Sequence, residues 1–268
     1  MTAPVNLYDG HYGHLEAETY QQIRNETYGE DLGQASWITV DESDQFYSWL
    51  NLEPSAQVLE IACGSGGFSA YIARKYKVDV TGVDLNQEGI TAATHRADRE
   101  GLTASLHFQV ADANEQLPFS DASFAAVFCN DSINHLRNRL AALKEWFRLL
   151  KPTGRLLYTD PILVTGQLSN EEMTIRSSIG YYLFTPLGIN EQLLAEAGFD
   201  LVHVEDVTAN VALTAGRWHA AREKRKDVLL QFEPQERYEG VQRFLWVTHK
   251  LAEEGRLSRY AYVAQKER

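Results

Sequence analysis

From residue 53 onward, apolar runs and helically spaced segments take turns along the chain. QVLEIA at 57–62 reads as a buried strand and FSAYIARKY at 68–76 as a helix. VDVTGVD at 78–84 predicts a second strand, followed by a helix through about Arg99. SLHFQV at 105–110 and SFAAVFC at 123–129 predict two more strands, LAALKEWFRLL at 140–150 a helix, and GRLLYTD at 154–160 a fifth strand. Strands alternating with helices of this length need crossover connections, and those build a parallel sheet. Beyond Pro161 the alternation lapses. EEMTIRSSI at 171–179 reads as helical, and INEQLLAEA at 189–197 as a helix stopped by Gly198. LVHVEDV at 201–207 predicts a sixth strand, 211–254 is largely helical, and RYAYVA at 259–264 predicts a short last strand. Ahead of the alternation, 11–30 and DESDQFYSWL at 41–50 read as helices.

The expected architecture is α/β: a doubly wound, Rossmann-like, mostly parallel seven-stranded sheet whose last strand is antiparallel. Residues 1–52 form an N-terminal helical lid on a core over 53–268, with helical insertions at about 162–188 and 209–255 completing it.

Composition narrows the class without naming it. The chain has 268 residues, 44% hydrophobic and 23% charged, enough to bury a real core in one large domain. No apolar run approaches the roughly 20 residues that span a bilayer. The start MTAPVNLYDG lacks a basic region followed by an apolar stretch, so no export signal is expected. Two cysteines give neither a disulfide framework nor paired zinc spacing, which points to a cytoplasmic protein without a metal. A net charge of −12 opposes docking on phosphate backbones. The one dense basic run, RWHAAREKRK at 217–226, reads as a solvated helix face. Neither nucleic acid nor membrane is expected as a partner; a monomer or homodimer acting on a small molecule is.

Candidate chemistry gathers at the end of the first strand. In EIACGSGG at 60–67, Gly64 and Gly66 permit close approach to the backbone, and parallel sheets bind ligands at the carboxyl ends of their strands. Asp84 ends the second strand, where it could accept both hydroxyls of a ribose or serve as a helix N-cap. Dinucleotides and S-adenosylmethionine share this glycine–acid arrangement. The dinucleotide fingerprint wants a third glycine where this chain has Ser69. Glu60, just before the turn, would repel a pyrophosphate and attract a sulfonium.

EIACGSGG at 60–67, GVDLN at 82–86, VADANEQLPFSDASF at 110–124 and LLKPTGRL at 149–156 together resemble the successive motifs of class I S-adenosylmethionine-dependent methyltransferases. The resemblance covers roughly residues 55–165. It implies S-adenosyl-L-methionine as cofactor and S-adenosyl-L-homocysteine as product. Gly64 and Gly66 would flank the methionine part, Asp84 with Leu85 would take the ribose, Asp112 with Ala113 would face the adenine amine, and Asn130 would lie by the methionine carboxylate or sulfonium. Ala62 stands where the family has the first glycine of its turn. Within the superfamily, NETYGED at 25–31 and NDSINH at 130–135 are most similar to small-molecule N-methyltransferases of the phosphoethanolamine and sarcosine–dimethylglycine type. The resemblance implies that Asp131 and His135 line the acceptor pocket, with Arg176 and Tyr181 near the places of the residues those enzymes use for phosphate.

Methyl transfer to an amine requires the acceptor to lose its proton, and His135 is the natural partner for it. Asp131, four residues earlier, could hold an ammonium, orient the imidazole or cap a helix. Tyr20 and Tyr12 are candidates for a phenol bonded to His135 or lining the substrate pocket, Tyr28 and Trp37 for closing over the cofactor beside Gln34 and Ser36. Such tyrosines more often serve as core that fixes a helix to the sheet, and Gln34, Ser36 and Trp37 could equally form an ordinary loop. Tyr181, Tyr182 and Phe184 would suit a cage for a methylated ammonium or a plain apolar cluster. Cys63 and Cys129, at the ends of the first and fourth strands, should border the cofactor as small buried residues. The expected function is methyl transfer by in-line displacement to a small acceptor, an amine nitrogen first, with oxygen or carbon acceptors as the alternative. A nicotinamide-dependent oxidoreductase and a non-catalytic S-adenosylmethionine-binding protein are the remote ones.

Overall fold

The structure, a computed structural model, describes residues 12–267. The stretch 1–10 scanned for an export signal, and residue 11 of the first expected helix, lie outside it. Helix α1 (Glu18–Tyr28) and helix α2 (Val40–Ser48) precede the first strand, the second opened by Thr39, whose side chain accepts from the Glu42 amide. The alternation follows: β1 (Gln57–Ile61), α3 (Gly67–Tyr76), β2 (Asp79–Asp84), α4 (Gln87–Arg99), β3 (Leu106–Val110), β4 (Phe124–Cys129), α5 (Arg139–Leu149) and β5 (Leu150–Val164). After it come α6 (Asn170–Arg176), β6 (Thr185–Pro186), α7 (Ile189–Glu196), β7 (Phe199–Asp206), α8 (Thr208–Glu223), α9 (Lys226–Leu229), α10 (Gln235–Glu253) and β8 (Leu257–Lys266).

Seven strands run in the order β3-β2-β1-β4-β5-β8-β7. Strands β1 to β5 pair in parallel, and β8 is antiparallel to both β5 and β7. The two-residue β6 adds an eighth strand beside the end of β5, a pairing the sequence pattern did not predict. Strand order reverses at β1 and β4, so a crevice opens where their carboxyl ends part around different helices.

The central strands are apolar on both faces because both are covered. On β1, Leu59 and Ile61 join a cluster with Trp146 and Leu143 of α5, while Val58 joins Phe46, Phe68 and Ile72 on the opposite face. A third cluster lies among the helices outside the sheet, where Tyr20 and Ile23 of α1 and Trp37 meet Trp218 of α8 and Phe244 of α10. The basic run on α8 is therefore only partly a solvated face: Trp218 and Arg222 are buried, and Arg222 pairs with the buried Glu233. No helix among the described residues is long and apolar enough to cross a membrane.

Candidate functional site

A cavity of about 420 Å³ opens at the carboxyl ends of β1 to β4, within the roughly 300–1,000 Å³ typical of small-molecule sites. Its floor is the turn that leaves β1. Ala62 and Gly64 both take left-handed backbone, at φ of 58° and 52°, and the floor they form carries no large side chain. A Cβ on Gly64 would stand 2.5 Å from the Tyr12 hydroxyl, so the glycine admits that phenol. Gly66 is not part of the cavity wall among the described residues. Its φ of 69° and a Phe108 ring atom 2.7 Å from where its Cβ would sit give it a packing role instead.

The carboxylates expected from the strand ends face this space. Asp84 accepts the Gly64 amide and the Asn86 amide, both at 2.8 Å. Asn86, not Asp84, caps α4, accepting from the Gly89 amide. Burial raises the Asp84 pKa against the opposing pull of those amides and of the Leu85 amide, and one of the carboxylate's roughly four acceptor positions remains to offer. Glu60 is buried at the cavity wall and receives the Ser69 hydroxyl, so the serine at the missing third glycine serves this carboxyl. Burial first, then the nearby Asp84 charge, lift Glu60 to about 8, with Ser69 pulling the other way. The carboxyl expected to attract a sulfonium as an anion therefore holds its proton more tightly in the empty site than an ordinary glutamate does. Asp112 accepts the Asn114 amide and side chain at 2.9 and 2.8 Å, and Ala113 and Leu85 complete that rim. Asn130 donates to the Tyr47 hydroxyl at 2.9 Å, while its buried Oδ1 has no hydrogen-bond partner among the described residues; Ser36 Oγ, on the facing wall, is in the same state.

At the other end, Ile133–His135 forms a single 3-10 turn after β4. His135 Nδ1 lies 2.8 Å from the Tyr181 carbonyl. A carbonyl only accepts, so Nδ1 carries the proton and the Nε2 lone pair remains basic. Burial, joined by the Arg176 charge, holds the imidazole below its ordinary pKa against the pull of that carbonyl. Arg176 itself is fully buried with its guanidinium 4.9 Å from the Phe244 ring, 5.2 Å from Tyr182 and 5.5 Å from Trp37. None of its three nitrogens has a hydrogen-bond partner among the described residues. Neither side-chain atom of the buried Asn134, next to His135, has one either.

The structure corrects several expectations. Asp131 does not share a helix face with His135: it lies outside the 3-10 turn at φ 53°, and its carboxylate is engaged by Arg259 Nε at 2.6 Å, Thr159 at 2.7 Å and the Trp37 amide at 2.9 Å. It borders the cavity with three of its roughly four acceptor positions already taken. Tyr20 stacks on His14, with ring centroids 5.6 Å apart, and meets Phe232 edge-on, away from the cavity wall. Tyr28 donates to the Ser36 carbonyl at 2.7 Å and packs near Trp218, so it braces the wall without lining it. The Trp37 indole likewise points into the helical cluster, stacked on Phe244. Tyr12 sits over Gly64 at the turn end, rather than beside His135. Tyr181 contributes its carbonyl, while its side chain is exposed. Tyr182 cages the Arg176 guanidinium and abuts His135 edge-on at 4.8 Å. Cys63 lines the cavity, but Cys129 is packed in the core below it. Gln34 and Ser36 do line it, together with Leu32, Gly33 and Ala35, which no sequence pattern singled out.

Residues 58–154 match a family described as a methyltransferase domain. Phosphoethanolamine N-methyltransferase 3 of Arabidopsis thaliana is 31% identical over 202 residues, 75% of this chain and 40% of that protein. The 27-O-demethylrifamycin SV methyltransferase of Amycolatopsis mediterranei (strain S699) is 28% identical over 219 residues, 77% of this chain and 79% of that one. Among solved structures, Haemonchus contortus phosphoethanolamine N-methyltransferase 2, in complex with phosphomonomethylethanolamine and S-adenosylhomocysteine, superposes with a TM-score of 0.81 at 22% identity, over 97% of this chain and 60% of that chain. The chain thus spans about two fifths of the length of the plant relative.

Proposed function

Since the chain belongs to the class I S-adenosylmethionine-dependent methyltransferases, we propose that it methylates the nitrogen of a small amine that also carries an acidic group. The observation that carries this reading is the Arg176 guanidinium, fully buried with all three nitrogens lacking hydrogen-bond partners among the described residues; it is not part of the cavity wall, and it approaches His135 through the Tyr182 ring that both meet. An unpaired buried charge costs several kcal/mol, and a phosphate or carboxylate on the acceptor would remove that cost. The name of the Arabidopsis relative agrees in chemistry, since phosphoethanolamine joins an amine to a phosphate.

The cavity suits the cofactor of the family. Asp84 would hold the ribose, Asp112 and Ala113 the adenine edge, and the orphan Asn130 Oδ1 and Glu60 the cationic methionine end. Bound there, the cofactor supplies an activated methyl group on a sulfonium; the protein's own residues do the rest. The 12–52 segment and the helical insertions act as a cover that keeps water out. Arg176 anchors the acidic end of the acceptor. Neutral His135, its tautomer fixed by Tyr181, accepts the ammonium proton on Nε2 and leaves the nitrogen lone pair able to attack.

An oxygen acceptor is the competing reading, favoured by the rifamycin relative's name, and the same imidazole would take a hydroxyl proton. Incubation with labelled cofactor and pools of amino acids, phosphorylated amines, phenols and sugars, with products identified by mass, separates the two. Label confined to phenols or sugars would overturn the amine reading.

A further inference from the structure

We infer that Arg259, at the far end of the sequence, is a positioning residue: through Asp131 it sets both the wall of the cavity before Trp37 and the turn that carries His135. Arg259 lies on β8 and is fully buried, its guanidinium 5.6 Å from the Phe46 ring. It joins two carboxylates, donating from Nε to Asp131 Oδ1 and from Nη1 to Glu42 Oε2, each at 2.6 Å. Both carboxylates reach the same residue. Asp131 Oδ2 accepts the Trp37 amide at 2.9 Å. Asn210 of α8 donates at 2.8 Å to both Glu42 Oε2 and the Trp37 carbonyl. The backbone of Trp37 is thus held at its N–H and its C=O by groups that meet at one guanidinium.

What this fixes is functional geometry. The five residues before Trp37, from Leu32 to Ser36, all line the cavity. On the other side, Asp131 follows Asn130 and precedes the turn ending in His135, and it sits in left-handed backbone that an L residue adopts only when held. Its three acceptor bonds and the bond from its own amide to Thr159 hold it there. One cation therefore couples the wall facing the cofactor to the turn facing the acceptor. Asp131 acts through the groups it holds, the Arg259 guanidinium, Thr159 and the Trp37 amide.

The inference rests on the cofactor assignment made above for its effect on binding, but not for its effect on Trp37, and the test keeps the two apart. Hydrogen exchange of the Trp37 amide is followed in the empty protein, and S-adenosylhomocysteine affinity by calorimetry. Arg259→Gln should speed Trp37 exchange at least tenfold while amides of β1 and β4 keep their protection, and should weaken S-adenosylhomocysteine roughly 10- to 100-fold, the range expected for a lost charge-assisted bond. Because removal of one buried partner can prevent folding, the Asp131→Asn/Arg259→Gln pair, which removes both charges of that contact and leaves Glu42 to Asn210, is measured beside it. Two groups acting through one contact should give a double variant no worse than the single one. Wild-type Trp37 exchange and wild-type affinity in either variant would overturn the inference, as would exchange accelerated evenly across all amides. A wild-type protein that fails to bind S-adenosylhomocysteine overturns the cofactor assignment instead, and Trp37 exchange still decides the positioning.

Discussion

The two ends of the cavity satisfy their polar groups in opposite ways. At the turn end, partners come from the adjoining strand ends: Asp84 holds the Gly64 and Asn86 amides and Glu60 holds Ser69. Behind the His135 end, in the interior rather than in the cavity wall, Arg176 and Asn134 keep buried side-chain nitrogens without hydrogen-bond partners among the described residues. Buried polar groups are normally paired. The first end therefore has its carboxylates partnered before any ligand arrives, with only Asn130 Oδ1 and Ser36 Oγ left over among the described residues of the wall, and the second holds the guanidinium that the proposed acidic acceptor would pair.

The difference can be broken most sharply at Asp84. Asp84→Ala removes a carboxylate that both shapes the turn and would take two hydroxyls, so cofactor affinity should fall at least about 100-fold, from two charge-assisted bonds of roughly 1.5–3 kcal/mol each. Calorimetry with S-adenosylhomocysteine measures it, and a loss under tenfold would mean the ribose lies elsewhere.

Glu60 tests the same end through pH. The folded protein keeps this proton up to about pH 8, whereas the unfolded chain releases it near 4.5. The folded state thus binds the extra proton between those values, and stability falls as pH rises through that window. The contribution is complete below pH 4.5 and gone above pH 8, an upper limit of about 4–5 kcal/mol. Urea unfolding of the empty protein at pH 5, 6.5 and 8 should show the decline, and Glu60→Gln should flatten it. A cationic ligand bound beside Glu60 should release a proton, visible as a buffer-dependent binding enthalpy. Equal slopes in wild type and variant would show that Glu60 is ionised in the empty site.

Arg176→Met probes the other end and should move stability and function in opposite directions. An apolar side chain of similar volume in the Trp37–Tyr182–Phe244 cage removes an unpaired buried charge, which stabilises by about 1–4 kcal/mol. The same change should raise KM for an acidic amine about 10- to 100-fold and leave S-adenosylhomocysteine affinity within about twofold. A destabilised variant would mean that Arg176 is part of the scaffold rather than a receptor.

The same contrast explains what could be seen in the sequence. The turn end was legible because its residues follow one another at fixed places on strand ends: Glu60, Gly64, Asp84, Asp112 and Asn130 all line one cavity, although Gly66, expected beside them, does not. The sheet was legible for a similar reason, since apolar runs of strand length alternate with helices, although the two-residue β6 has no periodicity to detect. The acceptor end was not. Arg259 reaches Asp131 across 128 positions, and no local pattern announces that a carboxylate near a histidine has already been claimed. Tyr20 and Tyr28 looked like pocket residues because helical spacing says which side chains share a face, not what the face meets. Arg176 was singled out near the acceptor, but it stands outside the cavity wall, and its isolation in an aromatic cage depends on Trp37, Tyr182 and Phe244, drawn from three separate parts of the chain.

The smallest expected effect bears on whether the turn end is relaxed as well as closely bonded. Ala62 stands where the family's pattern has glycine, and its backbone is left-handed at φ 58°. That conformation costs an L residue roughly 1–2 kcal/mol, while a glycine adds about 0.4–1 kcal/mol of unfolded-state entropy. Ala62→Gly should therefore gain about 0.5 kcal/mol in urea unfolding, the reverse of the usual sign for this exchange, and Ala62→Val should lose more than 1 kcal/mol because a β-branched residue fits that region worst. If Ala62→Gly instead loses stability by the ordinary amount, the strain is absorbed by the hydrogen bonds of the neighbouring turn, and the cofactor end is as rigid as its bonding implies.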